Sequence, residues 1–257
     1  MSIFCDLSKA FDVISHSILI KKLDHYGIRG IAQKWLKSYL SDRTQFVEIE
    51  NNKSQVLKIE CGVPQGSILG PLLYLIYVND IAQSSNENIL SFADDTSLYL
   101  SDSNIENLYS NANTQLNNLY DWFCANRLSL NPNKTKFIIL RTSKNLPNTT
   151  GLELCIDGIP LTQIGANFRE KSTKFLGLHI DEILSWKPHL SQINKKISHA
   201  IFAIKQVKNF LPIECLRTLY FAIVHPHLTY GILAWGNASS SAIKNYNSTK
   251  TCNKNHT

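Results

Sequence analysis

Apolar and polar residues alternate along the first half of the chain with the periods of both strands and helices. The stretch SIFCDL predicts a short buried strand, and LSFADDTSLYL, which alternates on either side of Asp94 and Asp95, predicts a hairpin. TQFVEIE and QVLKIEC predict a second hairpin across NNKS. Helical spacing appears where Leu19 and Leu23 precede Gly27, in IAQKWLKSYL, and in LLYLIYVNDI.

The following segment predicts one long helix and several short strands. Ser103 and Glu106 have the spacing of a capping box, and an apolar stripe runs from Ile105 to Phe123 behind it. A turn around Asn131, the strand KFIILR, and short strands around LELCIDG and KFLGLHID come next.

From Trp186 onward only helical spacing remains. Apolar residues recur at intervals of three and four between Leu190 and Ile204, and a second helix is predicted from Ile213 to Val224. The final stretch, SSSAIKNYNSTKTCNKNHT, is polar and unpatterned, so we expect it to be disordered. The chain is therefore predicted to be α+β, with a mixed region followed by a small helical region.

Composition narrows the class of protein. With 257 residues and 44% hydrophobic content the chain can bury a core, and its net charge of +6 is compatible with nucleic-acid binding without establishing it. Six scattered cysteines without a C-x-x-C pair indicate reduced thiols rather than a disulfide framework or a zinc site. Neither a signal peptide nor a transmembrane segment is apparent, so we expect an intracellular protein of the nucleus or cytoplasm.

Three acidic residues are the candidates for chemistry. Asp6 ends a predicted strand, and Asp94 and Asp95 lie at a predicted hairpin, where a plain turn is the alternative interpretation. Neighbouring carboxylates repel each other unless a cation lies between them. If the strands are neighbours in one sheet, the acids can converge around divalent metal ions. That arrangement suits nucleotidyl transfer and nuclease chemistry equally.

The loop GVPQGSILGP is the second candidate site. Gly62, Gly66 and Gly70 would let a backbone approach a flat or bulky ligand, and Gln65 offers an amide. The alternative is an ordinary helix-entry loop with Pro71 in the first turn.

Five stretches in this order, FCDLSKAFD, GVPQGSILGPLLY, FADDT, LSLNPNKTKF and FLGLHID, resemble the successive motifs of a reverse transcriptase of a non-LTR (LINE-type) retrotransposon. WKPHL and LYFAIVHPHLTYGILAWG resemble the thumb of those elements, so the resemblance covers roughly residues 3–236. It implies a polymerase-type palm, an antiparallel sheet packed on helices, over residues 1–182. A helical thumb-like region would follow at 183–236, and a disordered polar tail at 237–257.

The resemblance also implies roles for individual residues. Asp6, Asp94 and Asp95 match the catalytic acids, which would bind Mg²⁺, or Mn²⁺ in its place, together with the backbone carbonyl of Leu7. Lys134 matches a lysine that approaches the leaving pyrophosphate, with Lys136 as a competing candidate.

Further matches concern the nucleotide and the primer. Phe11 matches the bulky residue that excludes ribonucleotides, and Gln65 and Gly66 match residues that lie along the incoming nucleotide. Phe175, Leu176 and Gly177 match the primer grip. Asp12 has two readings, an additional site acid or a helix cap, and we favour the cap. The implied partners are an RNA template, a DNA primer and a dNTP, with no membrane.

One departure from the family pattern affects the expected activity. Met1 lies five residues before Asp6, where the family has a fingers subdomain that grips the triphosphate, so we expect an N-terminally truncated enzyme with little polymerase activity. Alternatives are a group II intron maturase with a similar acid pair, a non-catalytic nucleic-acid-binding remnant that keeps the thumb lysines, and a metal-dependent nuclease using the same acids.

Overall fold

The computed structural model describes residues 1–144, 146–239 and 242–243. The chain forms two compact units. The first comprises Met1–Phe137 and Pro147–Thr162, and the second comprises Ile138–Leu146 and the chain from Gln163 onward.

The first unit contains the helices α1 (His16–His25), α2 (Gly30–Leu40), α3 (Leu69–Val78) and α4 (Ile105–Ala125), and a short 3-10 helix at Ile81–Ser84. Its strands are β1 (Ser2–Cys5), β2 (Thr44–Gln45), β3 (Glu48–Ile49), β4 (Asn52–Lys53), β5 (Leu57–Lys58), β6 (Asn88–Phe92), β7 (Asp95–Tyr99), β8 (Lys136–Ile138), β9 (Cys155–Ile156) and β10 (Ile159–Pro160). A further strand, β11 (Thr162–Ile164), lies where the division into units falls.

The central sheet has the strand order β11–β8–β1–β7–β6. Strand β1 runs antiparallel to β7, and β6 and β7 form a hairpin through the pair Phe92 and Asp95. The hairpin predicted from LSFADDTSLYL is therefore confirmed. The second predicted hairpin is also present, as two short ladders in which β2 pairs with β5 and β3 with β4.

The core of the first unit is built from the apolar faces that the periodicity indicates. Leu19 and Leu23 of α1 are fully buried, as are Leu116 and Phe123 of α4. Gly27 has φ +83°, a left-handed conformation that favours glycine, and it follows the end of α1 as expected. The sequence thus places these helices correctly, because each has one continuous apolar stripe.

Two sequence predictions need correction here. The cap of α4 is Asn104, whose Oδ1 accepts the backbone N–H groups of Glu106 (2.7 Å) and Asn107 (3.2 Å), and the predicted capping box at Ser103 does not form. Asparagine is at least as good a cap and stands one residue closer to the helix. The predicted strand KFIILR is regular only over β8.

The second unit combines short strands with helices. Strands β12 (Thr173–Phe175) and β13 (Leu178–Ile180) form a hairpin, followed by the helices α5 (Lys187–Val207), α6 (Ile213–Ile223), α7 (His225–Thr229) and α8 (Ile232–Trp235). A core of Leu190, Ile193, Ile197, Val224 and Trp235 joins the helices. The helices predicted after Trp186 are confirmed.

The predicted disordered tail starts at residue 237. Ala238 and Ala242 are instead buried in the core of the second unit. Residues 240–241 and 244–257 lie outside the described residues.

Cysteines and helix composition complete the description of the chain. Cys5, Cys61, Cys124, Cys155 and Cys215 are free thiols, and Cys252 lies outside the described residues. None of the helices in the described part of the chain combines the length and the apolar character that a membrane crossing requires.

Candidate active site

The strand register brings the three acidic residues together. The ladder of β1 and β7 ends where Cys5 lies opposite Thr96, and continuing this register by one residue puts Asp6 opposite Asp95. Asp94 lies beside them in the two-residue turn that connects Phe92 with Asp95. The other turn residue, Ala93, has φ 52°, a left-handed conformation in which alanine is strained.

Electrostatics support this proximity. The pKa of Asp95 is raised above its usual value, first by burial and then by the negative charges of Asp94 and Asp6. Lys134 is the cation at this cluster, with its Nζ 3.9 Å from Oδ2 of Asp6. Both side chains are substantially exposed, at 69% and 43%, so this contact is too weak to neutralise three carboxylates.

The donor set fits a hard divalent cation. Within the described residues, no group of three or more His, Cys, Asp or Glu side chains is arranged so that it could hold a metal ion in this structure. The three carboxylates nevertheless supply the oxygen ligands that Mg²⁺ prefers, and a cation would relieve the repulsion that raises the pKa of Asp95. The site therefore fits such a metal by its chemistry and its uncompensated charge.

Leu7 lies next to Asp6 in a bridge to a distant part of the chain. It forms an isolated antiparallel bridge with Leu130, whose two hydrogen bonds run from Ser8 N–H to the Ser129 carbonyl and from Asn131 N–H to the Asp6 carbonyl, both at 2.9 Å. The bridge thus does not use the carbonyl of Leu7 itself.

A loop distant in sequence holds the backbone of Asp6. Besides the bond from Asn131, Asp6 donates its own N–H to Oγ1 of Thr135 at 3.3 Å, and that hydroxyl donates to the Asn131 carbonyl at 2.9 Å. Thr135 is fully buried. Sequence reasoning missed this role, although a threonine directly after Lys134 in a turn was a visible signal.

Phe11 lies against an aromatic partner that the sequence did not single out. Its ring centroid is 4.5 Å from that of Tyr74 in α3, and the rings are tilted by 31°. Burial, together with the charges of Asp94 and Asp95, raises the pKa of Tyr74, which places this phenol near the acid pair. The sequence pattern indicates only that Tyr74 belongs to an apolar helix.

The side chain of Gln65 is held by Asp12, which the sequence analysis favours as a helix cap. Its Nε2 donates to Oδ1 of Asp12 at 2.8 Å. Helix α1 begins after Ser15, so the prediction that Asp12 caps this helix is wrong. Asp12 instead orients the Gln65 amide.

The three glycines of the loop differ in what they approach. A Cβ at Gly62 would lie 2.7 Å from the Asp12 carbonyl oxygen, and one at Gly70 would lie 2.8 Å from the Pro64 carbonyl oxygen. These two glycines therefore serve close packing of the chain on itself, not the approach of a ligand. Gly66, with φ +79° and open space around it, remains available to one.

The predicted primer-grip residues lie in the second unit. Phe175 ends β12, and Leu176 and Gly177 form the two-residue turn to β13 with φ 44° and 81°. Oη of Tyr230 donates to the Leu176 carbonyl at 2.6 Å. The competing lysine, Lys136, is the first residue of β8.

Comparison with known proteins decides the family. The sequence profile described as "Reverse transcriptase (RNA-dependent DNA polymerase)" matches residues 1–180. The chain belongs to this reverse transcriptase family. It is therefore a member of a family of nucleotidyltransferases.

Individual relatives of this reverse transcriptase are proteins of mobile elements. It is 30% identical, over 96% of its length, to a probable RNA-directed DNA polymerase from transposon BS of Drosophila melanogaster, and 28% identical, over 93%, to the RNA-directed DNA polymerase from mobile element jockey of the same fly. A Pol polyprotein from the type-1 retrotransposable element R2 of Popillia japonica is 26% identical over 89%. These names confirm the resemblance to non-LTR retrotransposons.

These relatives are much longer than this reverse transcriptase. The chain spans 27% of the BS protein, 26% of the jockey protein and 39% of the R2 protein. The chain is also similar to a solved structure of telomerase from Candida albicans in complex with a fragment of telomeric RNA. The match covers 96% of this chain and 44% of the telomerase chain, at 14% identity and a TM-score of 0.47.

Proposed function

We propose that the chain is the palm and thumb of an RNA-directed DNA polymerase that joins a dNTP to the 3′-hydroxyl of a DNA primer paired with an RNA template. The palm corresponds to residues 1–182 and the thumb to 183–236. The observation that carries this proposal is the register of β1 and β7, which brings Asp6 opposite Asp95 and beside Asp94. Family membership of residues 1–180 supports it.

The acids and Leu7 would hold the metal. Asp6, Asp94 and Asp95 provide carboxylate oxygens, and the Leu7 carbonyl provides a neutral one. When bound, Mg²⁺ activates the attacking hydroxyl and offsets the charge of the phosphates. The raised pKa of Asp95 fits a carboxylate that is stabilised only when a cation is present. Lys134, held near Asp6, would offset charge on the leaving pyrophosphate.

The chain's remaining site residues would select and orient the nucleotide. The Phe11 ring, which packs against Tyr74, would contact the sugar of the incoming nucleotide and leave no volume for a 2′-hydroxyl. Gln65, oriented by Asp12, would lie along the nucleotide, and Gly66 would let the backbone approach it. A smaller side chain at position 11 is expected to admit ribonucleotides without lowering the use of dNTPs to the same extent.

Phe175, Leu176 and Gly177 would place the end of the primer. Their turn is held by the hydrogen bond from Tyr230, so the backbone rather than a flexible side chain defines its position. This suits a role in placement.

The test is primer extension by the full chain on an RNA template, with Mg²⁺ and with Mn²⁺. We expect extension by the unaltered chain to be slight but measurable. Asp95→Asn should abolish it, whereas Asp24→Asn, which removes an exposed carboxylate paired with Arg29, should leave it unchanged. Electron paramagnetic resonance of Mn²⁺ gives an independent readout, because Asp95→Asn should weaken binding of the ion and Asp24→Asn should not.

The competing functions give different results. Cleavage of an RNA–DNA hybrid without added nucleotide would indicate a nuclease. Salt-sensitive binding of the hybrid that is unchanged by Asp94→Asn, without extension or Mn²⁺ binding at the acids, would overturn the proposal in favour of a non-catalytic binding protein.

A further inference from the structure

One histidine outside the acidic cluster contacts the loop that carries Gln65 and Gly66. His16 is the first residue of α1, and its Nε2 lies 2.7 Å from the carbonyl oxygen of Gly62. A carbonyl oxygen only accepts hydrogen bonds, so Nε2 carries the hydrogen and donates it. The bond joins two segments that are 46 residues apart in sequence.

The segment that precedes His16 is firmly packed. Ile14 is fully buried, and Ser15, the residue before the helix, is buried as well. The backbone N–H of Ser15 donates to the hydroxyl of Tyr77 in α3 at 3.4 Å, and Tyr77 is itself fully buried. His16 therefore extends from a backbone that tertiary packing holds in place.

The Gly62 carbonyl belongs to a peptide group that is held at both ends. The N–H of the same group, that of Val63, donates to the Phe11 carbonyl at 2.9 Å. A peptide group is planar, so its C=O and N–H rotate together. Gly62 has φ +85° and no side chain, so its own backbone offers little resistance to such a rotation. Loss of the bond from His16 would therefore also endanger the bond to Phe11.

The backbone between this peptide group and Gln65 is stiff. Pro64 has a fixed φ, and Val63, which precedes the proline, is restricted to extended conformations. The hydrogen bond to Asp12 acts only on the end of the Gln65 side chain. We therefore expect the orientation of the peptide group held by His16 to determine where the backbone of Gln65 lies.

We propose that His16 is a positioning residue for nucleotide binding. By donating its Nε2–H to the Gly62 carbonyl, it holds the loop so that Gln65 and Gly66 meet the incoming dNTP. This role rests on the proposed function, in which those two residues lie along the nucleotide. His16 does not touch the nucleotide and acts through the loop.

Substitutions at position 16 separate the hydrogen bond from the shape of the side chain. His16→Phe keeps an aromatic ring and removes the donor, whereas His16→Gln keeps an N–H that reaches about as far as Nε2. His16→Asn has a shorter amide that does not reach the carbonyl, and it removes the bond without adding an apolar ring. The matched control is His25→Phe, because His25 is the exposed last residue of the same helix.

The first measurement is the affinity of the full chain for a fluorescent dNTP. The chain is bound to an RNA template with a DNA primer that ends in a dideoxynucleotide, and Mn²⁺ is present, so binding is measured without turnover. His16→Phe and His16→Asn should weaken dNTP binding about fivefold, the effect of one hydrogen bond. His16→Gln should retain most of the affinity, and His25→Phe should leave it unchanged. Binding of the template and primer should be the same in all variants.

Amide hydrogen exchange reports on the loop without any ligand. The Val63 amide should be protected in the wild type and in His16→Gln. In His16→Phe it should exchange faster, beyond any change in global stability. Nitrogen NMR of the His16 ring should show the hydrogen on Nε2.

The possible results distinguish the role of His16 from the proposed function. If dNTP binding depends on Asp95 and is equally tight in the wild type, His16→Phe and His16→Asn, only the role of His16 is overturned. The role is also overturned if His16→Gln loses as much affinity as His16→Phe, or if Val63 exchanges in His16→Phe at the wild-type rate. A wild type that binds no dNTP would contradict the proposed function, and the role of His16 with it.

Discussion

Replacing Thr135 by valine tests whether the loop around Asn131 fixes the backbone of Asp6, the first of the three acids proposed to be catalytic. Valine has nearly the shape of threonine and removes only the hydroxyl. The Asn131 carbonyl keeps two donors, the backbone N–H groups of Lys134 (3.2 Å) and residue 135 (2.9 Å). The N–H of Asp6 loses the acceptor it has in this structure.

The expected loss of stability follows from the one backbone N–H group, that of Asp6, which is left without its acceptor. An unsatisfied buried polar group costs ~1–3 kcal/mol, and because the hydrogen bond from Asp6 to Thr135 is only partly buried, water partly replaces the lost acceptor. We therefore expect a destabilisation of ~1–2 kcal/mol. For a chain of this length that corresponds to a fall in Tm of about 2–8 °C.

The assay combines chemical denaturation with amide hydrogen exchange at Asp6. In Thr135→Val the Asp6 amide should exchange faster by about fivefold to thirtyfold beyond any global change. Thr135→Ser is the matched control, since it loses a methyl group and keeps the hydroxyl, and it should leave Asp6 protected. Equal Asp6 protection in the valine variant and the wild type, or equal loss in both variants, would refute the reasoning.

Three further predictions concern charge and backbone conformation. Asp95→Asn should raise stability slightly at pH 7, because the raised pKa of Asp95 reflects a penalty on its ionised form and solvent screens that penalty at this exposed position. The gain should fade as the pH falls through that pKa, as denaturation at several pH values will show. Leu176→Asn should stabilise the chain by ~0.5–1 kcal/mol in thermal melts, since asparagine tolerates the positive φ of that turn; a lower Tm would mean that the leucine side chain matters more than the strain. Gly62→Ala should destabilise the chain by more than ~2 kcal/mol, because its Cβ would lie 2.7 Å from a carbonyl oxygen. Gly66→Ala meets open space and should cost only the strain of a positive φ. Similar denaturation midpoints for the two variants would contradict the close approach at Gly62.

The parts of the site that the sequence predicts are those carried by local pattern. The hairpin at Asp94 is visible because apolar residues alternate on both sides of it, and the strand before Asp6 because it is short and apolar. Asp6 and the Asp94–Asp95 pair come close together only if their strands are neighbours in one sheet, and periodicity alone does not specify strand order. The register of β1 against β7 supplies it.

The parts that the sequence could not predict depend on single long-range contacts. Asp12 is of a residue type that often caps helices, and only the folded loop brings Gln65 within hydrogen-bonding distance of it. Tyr74 reads as an apolar helix residue, because nothing in its own helix indicates that Phe11 lies against it. Likewise, three glycines in one loop look equivalent in sequence, although two of them are used for internal packing.

The central position of β1 has a consequence for synthesis of the chain. Both neighbours of this strand come much later in sequence, and the bond between Asp6 and Thr135 spans 129 residues. At translation rates of about 5–20 residues per second, β1 would wait roughly 6–26 s before β8 is made. Both edges of this apolar strand are open until β7 is made, and one edge stays open until β8 is made. An exposed strand edge on a nascent polypeptide is a typical substrate for chaperones and a starting point for aggregation. Additional chaperones should therefore improve heterologous production of this chain, whereas slower synthesis should lengthen the exposure of β1.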